Sequence, residues 1–317
     1  MIDFQNNIYN QETKERFLNS IDLNQYPQRW WERVFEKSYM FEVQNNKDLY
    51  SFTTPEILEF YKFLDVRSLT PLIVYNANLV KYGQWALNEN MITDGQNHFD
   101  EMDNEVLFTC VSQAKLNKSI LSYDEFFEIV RDKIVNDQDK FVFFCIFEGI
   151  KGRDYQEIVD LKLSDIDKEK STVKLSSGRT IAVSKEFIDY AERADSEHNY
   201  MSLLGEYGVG NKIIKLIPSS TIYKEKENSN GRAVNRTVYN TIVRNIESIN
   251  DLNSTITSKS ISDSGMIYYL NHRADEKGTT VAELLKNPET CQDIIDKYRF
   301  NIKTKVRWLM QYGNYVR

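Results

Sequence analysis

The sequence predicts a mainly α-helical protein with a small β-sheet, arranged as two domains. Three observations support this. Only 12 Gly and 5 Pro occur in 317 residues, so few breakers interrupt the chain. Apolar residues recur at helical spacing through most of it, repeatedly behind Ser or Thr caps. Only residues 171–183 change to a strand–turn–strand pattern. The length suits two domains, each large enough to bury a core. An aromatic share of 13% argues against disorder.

The first domain, residues 1–118, reads as all helical. Residues 1–20 form a short helix with Phe17 and Leu18 on its apolar side, and 25–42 carry Trp30, Trp31, Val34 and Phe35. Thr53-Thr54-Pro55-Glu56 is a helix start: a Thr cap, Pro in the first turn and an acid near the positive helix end. Ser68-Leu69-Thr70-Pro71 repeats the device, and the helix at 72–88 is expected to turn Ile73, Ala77, Val80 and Trp85 inward. Residues 94–104 read as loop, 106–114 as a short helix and 115–119 as linker.

The second domain, residues 119–317, starts with a helix behind Ser122 and a buried helix over 139–149. A further helix is expected at 154–161. Ser176-Ser177-Gly178 then joins two β-branched arms as a hairpin. Helices resume at 184–194 and 233–249. Residues 199–210 read as loop, and 250–264 as a loop leading into a helix.

Composition narrows the function. Cys110, Cys145 and Cys291 are scattered and odd in number, which suggests reduced thiols. No run approaches the ~18 apolar residues of a spanning helix, and the start lacks a signal pattern, so a cytoplasmic protein without a membrane partner is expected. His98, His198 and His272 lack metal-ligand spacing, and no Gly-rich phosphate loop is present. Neither a metal nor a cofactor is expected. The net charge of −7 speaks against a nucleic-acid partner, but its distribution does not. Residues 1–118 carry −6, 119–228 carry −5 and 229–317 carry +4. Two windows hold no acid: 229–246, with three Arg, and 297–317, with six Lys or Arg. Such runs are most often solvated helix faces.

The segment 148–167, Glu-Gly-Ile-Lys-Gly-Arg-Asp-Tyr-Gln-Glu-Ile-Val-Asp-Leu-Lys-Leu-Ser-Asp-Ile-Asp, resembles the first motif of tyrosine recombinases. The hairpin that follows, and the helical domain before it, suit the same family. The resemblance implies a helical core-binding-type domain and an α+β catalytic-type domain. It also implies a chemistry: a Tyr attacks phosphate while two Arg, a His-like donor and a hairpin Lys stabilise the developing charge. Here Asp154 stands where the first Arg belongs, with Arg153 one residue away. Lys259 takes the His position, Ser262 the second Arg position and Asn287 a later His position. Tyr298 best matches the nucleophile. A phenol without that cationic cage is a poor nucleophile at neutral pH. These positions therefore read as vestigial, and no catalytic residue is expected. A recombinase scaffold without strand transfer resembles the master repressors of lysogeny in SPbeta-like Bacillus phages.

The resemblance implies duplex DNA as partner. Val234, Val238 and Ile242 form an inward stripe, leaving Arg232, Asn235, Arg236 and Tyr239 on the outer face of one helix. Arg can bind guanine bidentately and Asn adenine. Lys174 and Arg179 on the hairpin, and Arg153 beside it, suit phosphate contacts, which position without specifying. Asn76, Asn78, Lys81 and Tyr82 offer a face in the first domain. An ordinary solvated surface is the competing account of each. The tail with Arg299, Lys303, Lys305, Arg307, Trp308 and Tyr312 suits packing or self-association. The function expected is a sequence-specific repressor in a bacterial host, relieved by an antirepressor protein or another inducer. Its rivals are an active integrase built on Arg153, Lys174, Lys259 and Tyr298, and a protein-interaction module without DNA binding.

Overall fold

The computed structural model describes residues 7–21, 28–202, 212–227, 234–250 and 255–317. It divides into two units, residues 1–116 and 117–317. Among the described residues, no helix is long and apolar enough to cross a membrane.

The first unit contains α1 (Gln11–Ser20), α2 (Gln28–Asn45), α3 (Thr54–Phe63), α4 (Leu69–Asn88) and α5 (Asn104–Phe108). Thr53 and Glu56 form a capping box that starts α3, with Pro55 in its first turn. The core is aromatic. The Phe17 ring centroid lies 4.8 Å from both Trp31 and Tyr82, in edge-on contacts. It also encloses charge: buried Lys14 pairs with buried Glu42 at 2.6 Å, and the Tyr82 hydroxyl donates to Asp48 at 2.8 Å.

The expected phase of α4 is wrong. Its buried face carries Leu72, Asn76, Asn78, Leu79, Tyr82, Gly83 and Ala86, while Ala77 is exposed and Ile73, Val80 and Trp85 are only half-buried. Asn76 can turn inward because the Tyr61 hydroxyl donates to it at 2.8 Å and it donates to the Phe99 carbonyl at 3.2 Å. Reading Asn as an outward residue rotated the helix. The expected linker at 115–119 is also helical, within α6 (Gln113–Ser119), in which the division between the units falls.

The second unit is built around α8 (Asp137–Phe147), which follows α7 (Tyr123–Lys133). Every residue from Phe141 to Phe147 is buried. After α8 come α9 (Gln156–Val159), β1 (Ile166–Asp167), β2 (Thr172–Lys174) and β3 (Thr180–Ala182). The three strands form one antiparallel sheet, with Val173 opposite both Ile166 and Ile181. Gly178, at φ 88°, makes the turn between β2 and β3. Then follow α10 (Lys185–Ser196), β4 (Asn199–Ser202), β5 (Lys212–Lys215), α11 (Val234–Ile249), α12 (Ser258–Lys277), α13 (Val281–Leu284), α14 (Pro288–Tyr298) and α15 (Lys305–Tyr312). The helices α10, α11 and α12 all pack on α8. Gly265 permits the closest approach, since a Cβ there would lie 1.9 Å from the Phe147 carbonyl oxygen.

Two expectations fail here. Residues 199–202 are strand β4, paired antiparallel with β5, rather than loop. The helix expected over 154–161 shrinks to α9, because Asp154 and Tyr155 adopt left-handed backbone.

Candidate nucleic-acid interface

The turn entering α9 is rebuilt. Gly149 has φ 80°, and a Cβ there would lie 2.5 Å from the Lys297 carbonyl oxygen. Further along, Asp154 and Tyr155 follow with φ 50° and 64°. Two consecutive non-glycine residues in this region cost of order 1–3 kcal/mol each, which the surrounding packing must offset. The turn sends the Arg153 side chain into solvent, 97% exposed, with its Nε 3.6 Å from the Asp154 carboxylate. Arg153 is therefore a surface cation, apart from the buried cluster around Glu157.

Behind this turn lies a buried anion, Glu157, whose side chain is only 2% exposed. Glu157 accepts hydrogen bonds from the Ser177 hydroxyl (2.6 Å), Arg179 Nε (2.9 Å), Arg179 Nη2 (2.5 Å), Arg299 Nη2 (2.7 Å) and the Lys151 amide (3.1 Å). Burial raises its pKa, but the donors Arg179 and Ser177 and the Arg179 charge outweigh it and hold the carboxyl at about 2. Arg179 also donates to the carbonyls of Asp296 and Lys297 (both 2.6 Å) and of Gly149 (2.8 Å). The first two belong to the last turn of α14, so Arg179 ties that helix end to the hairpin.

This corrects the expectation that Arg179 touches DNA phosphate. Its guanidinium is 11% exposed and committed to an internal carboxylate and three carbonyls. Lys174, across the hairpin, is exposed. Asn78 is corrected likewise: it is buried and donates to the Val74 carbonyl at 2.8 Å, one turn back on its own helix. Lys81 is exposed on the outer face of α4.

The other positions that the resemblance singles out hold contacts within the unit. Tyr298 ends α14, half-buried, and its ring lies 6.0 Å from that of Tyr269. Burial first, and the Glu148 charge second, push its hydroxyl well above the ordinary phenol value, which disfavours the phenolate. Lys297, next to it, is buried and donates to Glu148 (2.6 Å) and to the Ala182 carbonyl (2.5 Å). Lys259 pairs with Asp263, one turn along α12, and Asp263 accepts the Tyr312 hydroxyl at 2.8 Å. Ser262 is half-buried on the same helix. Asn287 caps α14, accepting from the amides of Glu289 (2.8 Å) and Thr290 (3.4 Å).

On α11 the inward stripe is present: Val238 and Ile242 are buried, and Val234 packs against the same core. Arg236 is exposed, Tyr239 is 52% exposed, and Asn235 is half-buried with its Oδ1 accepting the Arg236 amide at 3.0 Å. Arg244 is exposed further along. Arg232 lies outside the described residues. Among the described residues, no group of three His, Cys, Asp or Glu could hold a metal ion.

Residues 120–315 match the family described as MrpR, C-terminal catalytic domain, and residues 8–88 match MrpR, N-terminal core-binding domain. The chain belongs to the MrpR family. The SPbeta prophage-derived uncharacterized protein YopR of Bacillus subtilis (strain 168) is 26% identical over 319 residues, covering 98% of this chain and 94% of that protein. Among solved structures, the Tn1549 transposon integrase in complex with circular intermediate DNA is 13% identical, with a TM-score of 0.43 and 95% of each chain covered. The XerA recombinase is 12% identical, with a TM-score of 0.37, covering 94% of this chain and 92% of that one. The MrpR match thus gives a helical core-binding-type domain followed by an α+β catalytic-type domain.

Two features of this MrpR-family chain were invisible to sequence reasoning. Glu157 was recognised as a motif residue, but its partners lie 22 and 142 positions away, beyond any local spacing rule. Tyr155 carries no signal of its role in residue type or spacing. Its ring lies 6.3 Å from the Tyr239 ring, against the outer face of α11.

Proposed function

We propose that this chain binds duplex DNA at a specific site and represses transcription from a prophage, on a recombinase-derived scaffold without strand transfer. The observation that carries the reading is the outer face of α11. An inward apolar stripe fixes the helix, and exposed Arg236 and Tyr239 project from a window with no acid. Arg on such a face can read guanine bidentately. Exposed Arg153 and Lys174 supply phosphate contacts from the turn and the hairpin. The lack of strand transfer is supported by the company of Tyr298: the pKa of its hydroxyl is raised by burial, and the nearby Arg179 and Lys297 are each engaged with a carboxylate of the same chain.

The test is to incubate the full chain with fragmented genomic DNA of the host and its prophage, and to sequence what is retained. A repeated motif near promoters is the expected result, with affinity falling steeply as salt rises. A single attachment-like site, together with a covalent Tyr298 adduct on a suicide duplex of that site, would replace the repressor reading with an integrase. Salt-insensitive retention, or none, would leave a protein-interaction module.

A further inference from the structure

We propose that Tyr155 is a positioning residue for DNA reading: its ring braces Tyr239 and fixes the angle at which the outer face of α11 meets the bases. The inference rests on the reading of α11 as the base-reading helix. Tyr155 touches three separate parts of the unit. Its ring lies 6.3 Å from Tyr239, with the planes at 45°. Ser258, the first residue of α12, stands on the side of its hydroxyl. Lys151 Nζ, from the turn itself, stands 5.1 Å from its ring centroid. A half-buried ring packed against the hydrophobic core of its unit is a firm wall, whereas Tyr239 is an exposed side chain that could otherwise swing.

The backbone supports this assignment. Asp154 and Tyr155 are both left-handed, a conformation L-residues avoid unless the surroundings impose it. Helical backbone at 155 would continue α9 backwards and carry the ring off the α11 face. The left-handed pair Asp154–Tyr155 and the turning of the Tyr155 ring onto α11 are thus parts of one local turn. Arg236 lies three residues before Tyr239, on the same face and one turn away. A wall that fixes Tyr239 therefore narrows the space of its neighbour. Bidentate readout depends on such preorganisation, because a base edge tolerates only ~0.5 Å of misplacement.

The experiment measures the dissociation constant of the full chain for its selected site and for a random duplex, at one fixed salt concentration. The variants are Tyr155→Ala, Tyr155→Phe, Tyr239→Ala and the double alanine change. Tyr155→Ala is expected to lower the site-over-random preference about tenfold, the scale of one good base contact, while random-duplex affinity stays nearly constant. Tyr155→Phe keeps the ring and should restore the preference. The double variant should lose no more than the worse single one, because both changes remove the same brace. Tyr155→Leu, which keeps apolar packing without the ring, reads the same ratio should alanine unfold the turn. Equal losses on both duplexes, additive losses, or failure of Phe to rescue would overturn the proposal. A wild-type chain with no site preference would overturn the α11 reading and this inference together. A wild-type preference that survives Tyr155→Ala and Tyr155→Leu would overturn this inference alone.

Discussion

On α11, Arg236 and Arg244 stand exposed on the surface. In the other acid-free window, residues 297–317, four of the six cations turn back onto their own unit. Lys297 pairs with Glu148 at 2.6 Å, Arg299 with Glu157 at 2.7 Å and Arg317 with Asp275 at 2.8 Å, while Lys305 donates to the Leu285 carbonyl at 3.2 Å. The tail was the more basic of the two windows, yet α11 is the better candidate for meeting a polyanion. The difference comes from carboxylates far away in sequence: Glu148 and Glu157 lie 149 and 142 residues from the cations they neutralise. Charge counted along a chain measures supply, and the accessible charge is what remains after buried acids are satisfied.

The largest expected effect comes from breaking the tail's side of this comparison. Glu157→Gln leaves buried Arg179, and Arg299 at the rim, without their shared carboxylate. Removing one partner of a buried pair typically costs ~3–5 kcal/mol. Urea unfolding at neutral pH should show a loss of that order. The same group sets a pH dependence. The folded-state pKa of about 2 lies below the ordinary 4.5, so Glu157 binds its proton less readily when folded. Its contribution is therefore complete above about pH 4.5 and is lost as pH falls toward 2. The shift corresponds to roughly 3 kcal/mol. Wild-type stability should fall through that window more steeply than that of Glu157→Gln. Parallel curves would mean that the pair is not formed in solution.

The next effect sharpens the α11 side. Arg236→Ala should relax base choice by ~1–3 kcal/mol if the contact is bidentate, measured as the change in site-over-random affinity. Its stability should stay within about 0.5 kcal/mol of wild type, because the side chain is exposed. Equal losses on specific and random DNA would make Arg236 a phosphate contact and move base reading elsewhere.

The parts of this molecule legible in its sequence are those set by local chemistry. The Thr53–Glu56 capping box, the uninterrupted apolar run of α8, the Gly178 turn and the Val234, Val238, Ile242 stripe each depend on neighbours within a few residues. The failures share a different cause. Asn76 faces inward on α4 because Tyr61 and Phe99, outside the helix, satisfy it, and Asn78 faces inward with its amide donating to the Val74 carbonyl. Arg179 looked like a surface cation on a hairpin, and became internal because the end of α14 presents two carbonyls to it. Strand β4 was read as loop because Asn199 and Ser202 carry little strand propensity, and pairing with β5 overrides it. Asp154 stands where the resemblance implies a cation. The left-handed backbone that accompanies it, and the turning of Tyr155 onto α11, have no signature in residue type.

The smallest predicted effect discriminates best, because it compares two arginines, one from each window. Arg299 is 49% exposed at one end of a pair whose other end is buried. Arg299→Ala leaves Glu157 still holding Arg179, Ser177 and the Lys151 amide, so no buried charge is orphaned. The expected loss of stability is therefore only ~0.2–1 kcal/mol, the range of partly solvated pairs. Its DNA affinity should keep the wild-type salt dependence, because the guanidinium is already neutralised within the unit. Arg244→Ala on α11 should do the reverse, reducing the salt slope by about 1 if Arg244 meets a phosphate, with little change in stability. A salt slope that fell for Arg299→Ala and held for Arg244→Ala would invert the comparison. It would then place the tail, rather than α11, against the DNA backbone.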